Sequence, residues 1–269
     1  MRSGRCCHAS IGCQSGFLFQ EVAFLDRFEA AARAGFRGVE HGFPYEAPPE
    51  DIAAHLQACG LEQVLCNLPP GDRARGEHGV AALPGREEVF AECVERALTY
   101  AQALSCRCLH AMAGIPPAGV SPRDCEAVYV RNLRWAAETL KPHGIRLLIE
   151  PLNTRDNPGY FLNTTAHARQ IIERVGSDNL FLQMDLYHCQ VMRGDLAEEI
   201  KTHLPLIGHF QIAGNPGRHE PDVGEVYYPY LFDLIDDLGY TGWVGCEYHP
   251  RGDTVAGLGW ARSYGVGIV

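Results

Sequence analysis

The chain has 269 residues, 46% of them hydrophobic and 21% charged, with 29 glycines and 17 prolines. That composition excludes a collagen, a coiled coil and a disordered chain, and the length suffices for a large core without disulfide or metal staples. Lys+Arg 23 against Asp+Glu 33 gives a net charge of −10, so no sequence-wide basic field exists to hold nucleic acid or an anionic membrane.

No run approaches the roughly 18 consecutive apolar residues of a bilayer-spanning helix. The apolar stretch near the N-terminus, Gly16-Phe17-Leu18-Phe19, is too short for a secretory segment, and the expected location is cytoplasmic. The 11 cysteines include no C-x-x-C pair, so zinc-knuckle and thioredoxin spacings are missing. Cys106 and Cys108, two apart in a strand-like run, read as buried thiols in a reducing compartment.

Strand-like and helix-like runs alternate along the whole chain. A weak first strand lies near Ala9–Gln14, followed by helical spacing over Val22–Ala34 and a strand at Phe36–Glu40. Next come a helix at Ile52–Ala58, a strand at Gln63–Leu68, a helix at Glu87–Leu104 and a strand at Arg107–Met112. A helix at Asp124–Leu140 leads to the strand Ile145–Leu152, and a helix at Ala166–Val175 to Leu180–Asp185. The pattern closes with helix Leu196–Leu204, strand Ile207–Ile212, helix Tyr230–Leu238 and strand Trp243–Tyr248. Most of these strands are apolar on both faces, as parallel strands covered on both sides must be. Ser121, Asp185 and Asp195 are cap-type residues before helices, and Pro142 and Gly144 stop one. Nothing divides the chain, so the expected fold is a single-domain (β/α)8 TIM barrel with an atypical first strand. An open doubly wound sheet ranks second, without a G-x-G-x-x-G to support it.

In a barrel the chemistry belongs at the C-terminal strand ends. Four successive strands run into Glu150, Asp185, Gln211 and Glu247, one βα unit apart, so their side chains can converge over the mouth. Any one of them alone could be an ordinary loop-facing residue. Three crowded carboxylates repel one another unless a cation compensates them, and an all-oxygen set suits Mg²⁺ or Mn²⁺ more than Zn²⁺. His188 is placed for substrate, whereas His209, two before Gln211, reads as a core or ligand-orienting residue. Arg218, in a Gly/Pro-rich loop, can fork onto a carboxylate, or pair at the surface with Glu220 or Asp222. Asn67 and Glu40, at the ends of earlier strands, can help wall the mouth.

The runs Glu150-Pro-Leu-Asn-Thr-Arg, Gln183-Met-Asp185-Leu-Tyr-His188 and His209-Phe-Gln211-Ile-Ala-Gly resemble the hydroxypyruvate isomerase family of xylose isomerase-like TIM barrels. So do Pro216-Gly-Arg218-His-Glu-Pro, Gly245-Cys-Glu247-Tyr-His-Pro-Arg-Gly-Asp, Asn67-Leu-Pro-Pro-Gly-Asp and Met112-Ala-Gly. The resemblance extends from about Glu21 to Tyr264. It implies a divalent metal, Mg²⁺ or Mn²⁺, held by Glu150, Asp185, Gln211 and Glu247, with no organic cofactor. It also implies that Glu150 and Glu247 exchange the substrate proton, with His188, Arg218, Asn67 and Glu40 binding a small 2-oxo or 2-hydroxy acid. Related sugar epimerases usually carry histidine where Gln211 stands. Family members usually open on a strand reading like Ala-Asn-Leu-Ser, a pattern that Met1–Gly16 lacks. Hydroxypyruvate isomerase and 2-oxo-tetronate isomerase share these motifs, and the Asn-Thr-Arg after Leu152 looks more like the former. Barrel relatives suggest dimers or tetramers. Competing readings are an endonuclease IV-type phosphodiesterase, which wants a His-rich three-zinc cluster and a basic DNA surface, and a non-catalytic sugar-acid binding protein.

Overall fold

A computed structural model describes residues 9–267. Eight parallel strands close into a barrel in sequence order: β1 Ser10–Gln14, β2 Gly38–His41, β3 Glu62–Asn67, β4 Cys108–His110, β5 Arg146–Ile149, β6 Leu180–Asp185, β7 Ile207–Ile212 and β8 Trp243–Cys246. The TIM barrel expected from the alternation is present. β1, weak as a sequence signal, nevertheless closes the ring: Gly12 pairs with Gly38 of β2 and with Gly245 of β8. The rest of the unusual leader, residues 1–8, lies outside the described residues.

The helices are α1 Asp26–Arg33, α2 Pro49–Cys59, α3 Glu87–Ala103, α4 Pro122–Leu140, α5 Thr165–Val175, α6 Leu186–Met192, α7 Leu196–His203, α8 Tyr228–Asp237 and the short α9 Thr254–Gly257. Their inward stripes follow the three-and-four spacing: α4 buries Val128, Tyr129, Asn132, Leu133, Ala136, Ala137 and Leu140. Ser121 Oγ accepts from the Asp124 N–H at 3.1 Å and starts α4, as its sequence position suggests. Asp195 does not cap α7; its backbone is left-handed and its side chain makes no capping bond. Sequence spacing also missed α6, whose seven residues are too few for a helical period to show.

A small inner cluster of Val64, Leu65, Cys108 and Leu148, with Trp243 and Phe181 packed on it, fills the lower part of the barrel. Gly38 leaves room for it, since a Cβ there would stand 2.6 Å from the Trp243 ring. Packing density of this kind leaves no pore, and polar chemistry is confined to the upper layers. Cys106 and Cys108 are buried free thiols, as expected, and no disulfide forms among the described cysteines. Among the described residues no helix is long and apolar enough to cross a membrane.

Candidate active site

Every strand delivers a polar residue at or near its upper end: Gln14, His41, Asn67, His110, Glu150, Asp185, Gln211 and Glu247. Alternation along a strand points these side chains inward except in β2, where Glu40 and not His41 faces the interior, and the βα loops then wall a cavity of about 490 Å³ above them. Glu150, Glu247, His188, Arg218 and Asn67 line it, together with His110, Gln14 and Phe17. Glu150, Asp185, His188 and Glu247 each offer a donor atom, all within 4.8 Å of one another. The convergence inferred from strand spacing is therefore realised for the three carboxylates and His188.

Asp185 caps α6 by accepting from the Tyr187 N–H at 2.7 Å, and the first turn of that helix carries His188 beside it. His188 Nδ1 accepts from the Asn153 backbone N–H at 3.1 Å, and burial pushes its pKa down to about 4. A neutral ring with Nδ1 accepting must carry its proton on Nε2, which faces Asp185 Oδ2 at 3.6 Å. In that tautomer His188 turns an N–H toward the site, too far from Asp185 to be hydrogen-bonded to it.

Arg218 sits between the carboxylates. Its Nη2 donates to Glu247 Oε2 at 2.5 Å and to Asp185 Oδ2 at 3.4 Å. The guanidinium lies over Phe17 at 4.9 Å and Tyr187 at 5.2 Å, which fixes its plane. The surface pairing with Glu220 does not occur, because Glu220 accepts from Arg251 at 3.1 Å instead. Burial, reinforced by Glu247 and Asp185, raises the Glu150 pKa well above the usual carboxylate range. Burial lifts Glu247 to about 8 in spite of Arg218. Both glutamates thus hold a proton more readily than an ordinary carboxylate, the property an acid/base pair uses.

Gln211 stands in register with Asp185 on the neighbouring strand, and its amide ties the polar layer to Glu40. Gln211 Oε1 accepts from Gln183 Nε2 at 2.6 Å and its Nε2 donates to Glu40 Oε2 at 2.8 Å. Glu40, expected to touch substrate, is fully buried and absent from the cavity wall. It is held by Gln211 and by His209 Nε2 at 2.5 Å, so it is a floor residue; an inward-pointing residue before the last strand position sits below the mouth. His209 is thus a satisfied interior histidine in contact with that floor. Asn67 lines the cavity with its Oδ1 turned to His110 Nδ1 at 3.1 Å.

Gln14, His110 and Gln183 escaped the sequence reading. The strand-end rule, applied to β1 and β4 as it was to β5–β8, finds the first two, and alternation from Asp185 finds Gln183. Gln14 Nε2 reaches Glu247 Oε1 at 3.4 Å. His110 is buried, pushed down to about 3 by desolvation, and stands 3.6 Å from Glu150 Oε2.

The site fits a hard divalent cation. Glu150 Oε1 is buried with no hydrogen-bond partner, and mutual repulsion of Glu150, Asp185 and Glu247 is what such an ion relieves.

A family model described as the xylose isomerase-like TIM barrel matches residues 28–264. A 2-oxo-tetronate isomerase of Cupriavidus necator is 53% identical over 92% of this chain and 95% of its own. The hydroxypyruvate isomerase of Escherichia coli is 48% identical over 92% of this chain and 96% of its own. A solved Brucella melitensis structure, described as an AP endonuclease of family 2, superposes with a TM-score of 0.92 at 49% identity, covering 96% of this chain and 99% of that one. The chain belongs to the xylose isomerase-like TIM barrel family, close to members named as isomerases of small keto acids.

Proposed function

We propose that this chain interconverts an aldose–ketose pair of a small 2-oxo acid, hydroxypyruvate and 2-hydroxy-3-oxopropanoate (tartronate semialdehyde). The observation that carries it is the pair of glutamates, buried Glu150 and half-buried Glu247, facing one cavity with raised pKa values and grouped with the neutral His188. Glu150, Asp185, Gln211 and Glu247 would hold a divalent Mg²⁺ or Mn²⁺ ion, which supplies Lewis-acid polarisation of the substrate carbonyl when bound. One glutamate takes the proton from the carbon that bears the hydroxyl and the other returns a proton to the neighbouring carbon, while the hydroxyl proton passes to the former carbonyl oxygen. His188 Nε2–H donates to the oxygen on which negative charge grows, and Arg218, clamped by two aromatic faces, balances the charge of the ionised glutamate. Phe17 and Leu152 in the wall keep bulk water from the carbanion-like centre.

A second reading, isomerisation of a four-carbon 2-oxo-tetronate, is supported by the Cupriavidus necator relative and by a cavity roomy enough for the longer acid. The endonuclease reading finds less support. Among the described residues the only grouped donors include a single histidine, and the net charge is −10. The small-acid substrate needs no nucleic-acid or membrane surface, and self-association into dimers or tetramers is carried over from barrel relatives only. Incubating the purified protein and Mn²⁺ with hydroxypyruvate and with 2-oxo-tetronates, with products read by NMR, separates these readings. Turnover of one acid is expected; turnover of neither removes the proposal.

A further inference from the structure

The polar groups beneath the carboxylates form one continuous chain across the barrel. Glu40 on β2 accepts from Gln211 Nε2 on β7 at 2.8 Å. Gln211 Oε1 accepts from Gln183 Nε2 on β6 at 2.6 Å, and the same nitrogen donates to Glu150 Oε2 at 3.0 Å, just past β5. All four side chains are buried.

A side-chain amide has one end that only donates and one that only accepts, so each link dictates the next. The Glu40 oxygen that faces Gln211 accepts, which turns the Gln211 nitrogen down and its oxygen toward Gln183. An oxygen there obliges Gln183 to present its NH₂, whose second proton is then free for Glu150. Reversing either amide would set oxygen against oxygen in a buried layer, where an unpaired polar contact is costly. The space for the first link is built into the sequence, because a Cβ on Gly245 would stand 2.0 Å from Glu40 Oε1. With Oε2 held by Gln183, Glu150 keeps Oε1 without a protein partner.

We infer that Glu40 and Gln183 are positioning residues: the fixed acceptor at Glu40 sets the direction of both amides. Gln211 therefore shows oxygen and Gln183 shows NH₂ on the side where the glutamates work. What that orientation is for rests on the proposed isomerase chemistry, whereas the amide directions rest on the protein's own hydrogen bonds.

The test uses Glu40→Gln, Gln183→Met and the double variant, each checked for folding by circular dichroism. Two quantities are read: Mn²⁺ affinity from the EPR signal of free ion, and the side-chain amide ¹H–¹⁵N signals of metal-free protein. Glutamine at position 40 can offer either end, so the Gln183 NH₂ pair, identified by its loss in Gln183→Met, should shift and exchange faster in Glu40→Gln without touching it. Each single variant should bind Mn²⁺ about 10-fold more weakly. The double variant should lose no more than the weaker-binding single, since both break one chain. An unmoved Gln183 signal in Glu40→Gln, or losses that add, overturns the inference. Should Glu40→Gln fail to fold, Glu40→Asp, which keeps an accepting group, must retain the protected Gln183 pair; its loss there counts against the chain. A wild type that binds no Mn²⁺ while the amide signals still respond defeats the cation reading and upholds the amide polarity.

Discussion

Glu150 and Glu247 reach across the same cavity from two strand ends separated by β6 and β7, and neither has water enough to be an ordinary carboxylate. Replacing either by glutamine keeps the volume and removes the base. Turnover should fall by about 10²–10⁴-fold with the fold intact, measured by steady-state kinetics beside a thermal melt. Near-normal kcat in either variant rejects the two-base scheme. Arg218 makes a separate prediction. Its removal leaves Glu247 and Asp185 facing each other without the guanidinium that now bridges them. Arg218→Ala should cost about 3–5 kcal/mol in urea unfolding of the metal-free protein. Added Mn²⁺ should recover more stability in this variant than in wild type, and an equal gain in both would separate Arg218 from the carboxylate cluster.

At the scale of elements, β6 and β7 were legible residue for residue, because Leu180–Asp185 and Ile207–Ile212 are apolar runs broken only by the inward polar pairs Gln183/Asp185 and His209/Gln211. The strand-end positions of Glu150, Asp185, Gln211 and Glu247 followed from the same regularity, so their placement was largely readable from spacing. Depth was not. Glu40 ends its sequence run just as Glu150 does, but β2 continues to His41, which leaves Glu40 below the mouth. A one-residue difference in strand end decides between substrate contact and floor, and no residue preference announces it. The tautomer of His188 was equally hidden, since it depends on a backbone N–H contributed by Asn153 from another loop. β1 shows how tertiary context overrides a weak local pattern, with both of its edges paired to neighbours. Gly245→Ala probes this packing: displacing Glu40 should cost about 1–3 kcal/mol in chemical denaturation, and a neutral result would show that the floor has slack.

For the whole molecule, the described residues form one closed barrel with its apolar floor below and its chemistry above. Stability should respond to acid through the histidines that this upper layer holds neutral. His41, with Oγ of Ser15 at 3.1 Å from its Nδ1, is lowered to about 4 by burial and by Arg27. A histidine depressed in the folded state adds stability that is complete above its unfolded pKa of about 6.5 and is lost as pH falls toward 4. His41→Gln should therefore flatten the fall in melting temperature between pH 6.5 and 4 relative to wild type. An identical slope would mean that His41 is not desolvated in the native barrel.

The two-glutamate proton exchange is tested most directly by following hydroxypyruvate and 2-oxo-tetronate in D₂O by ¹H NMR, with Mn²⁺ or Mg²⁺ present and after full chelation. Formation of the isomeric acid with deuterium on carbon, abolished by chelation and by Glu150→Gln or Glu247→Gln, is the expected result. Substrate that keeps its protons and its structure in the presence of metal, or isomerisation that survives loss of both glutamates, contradicts it.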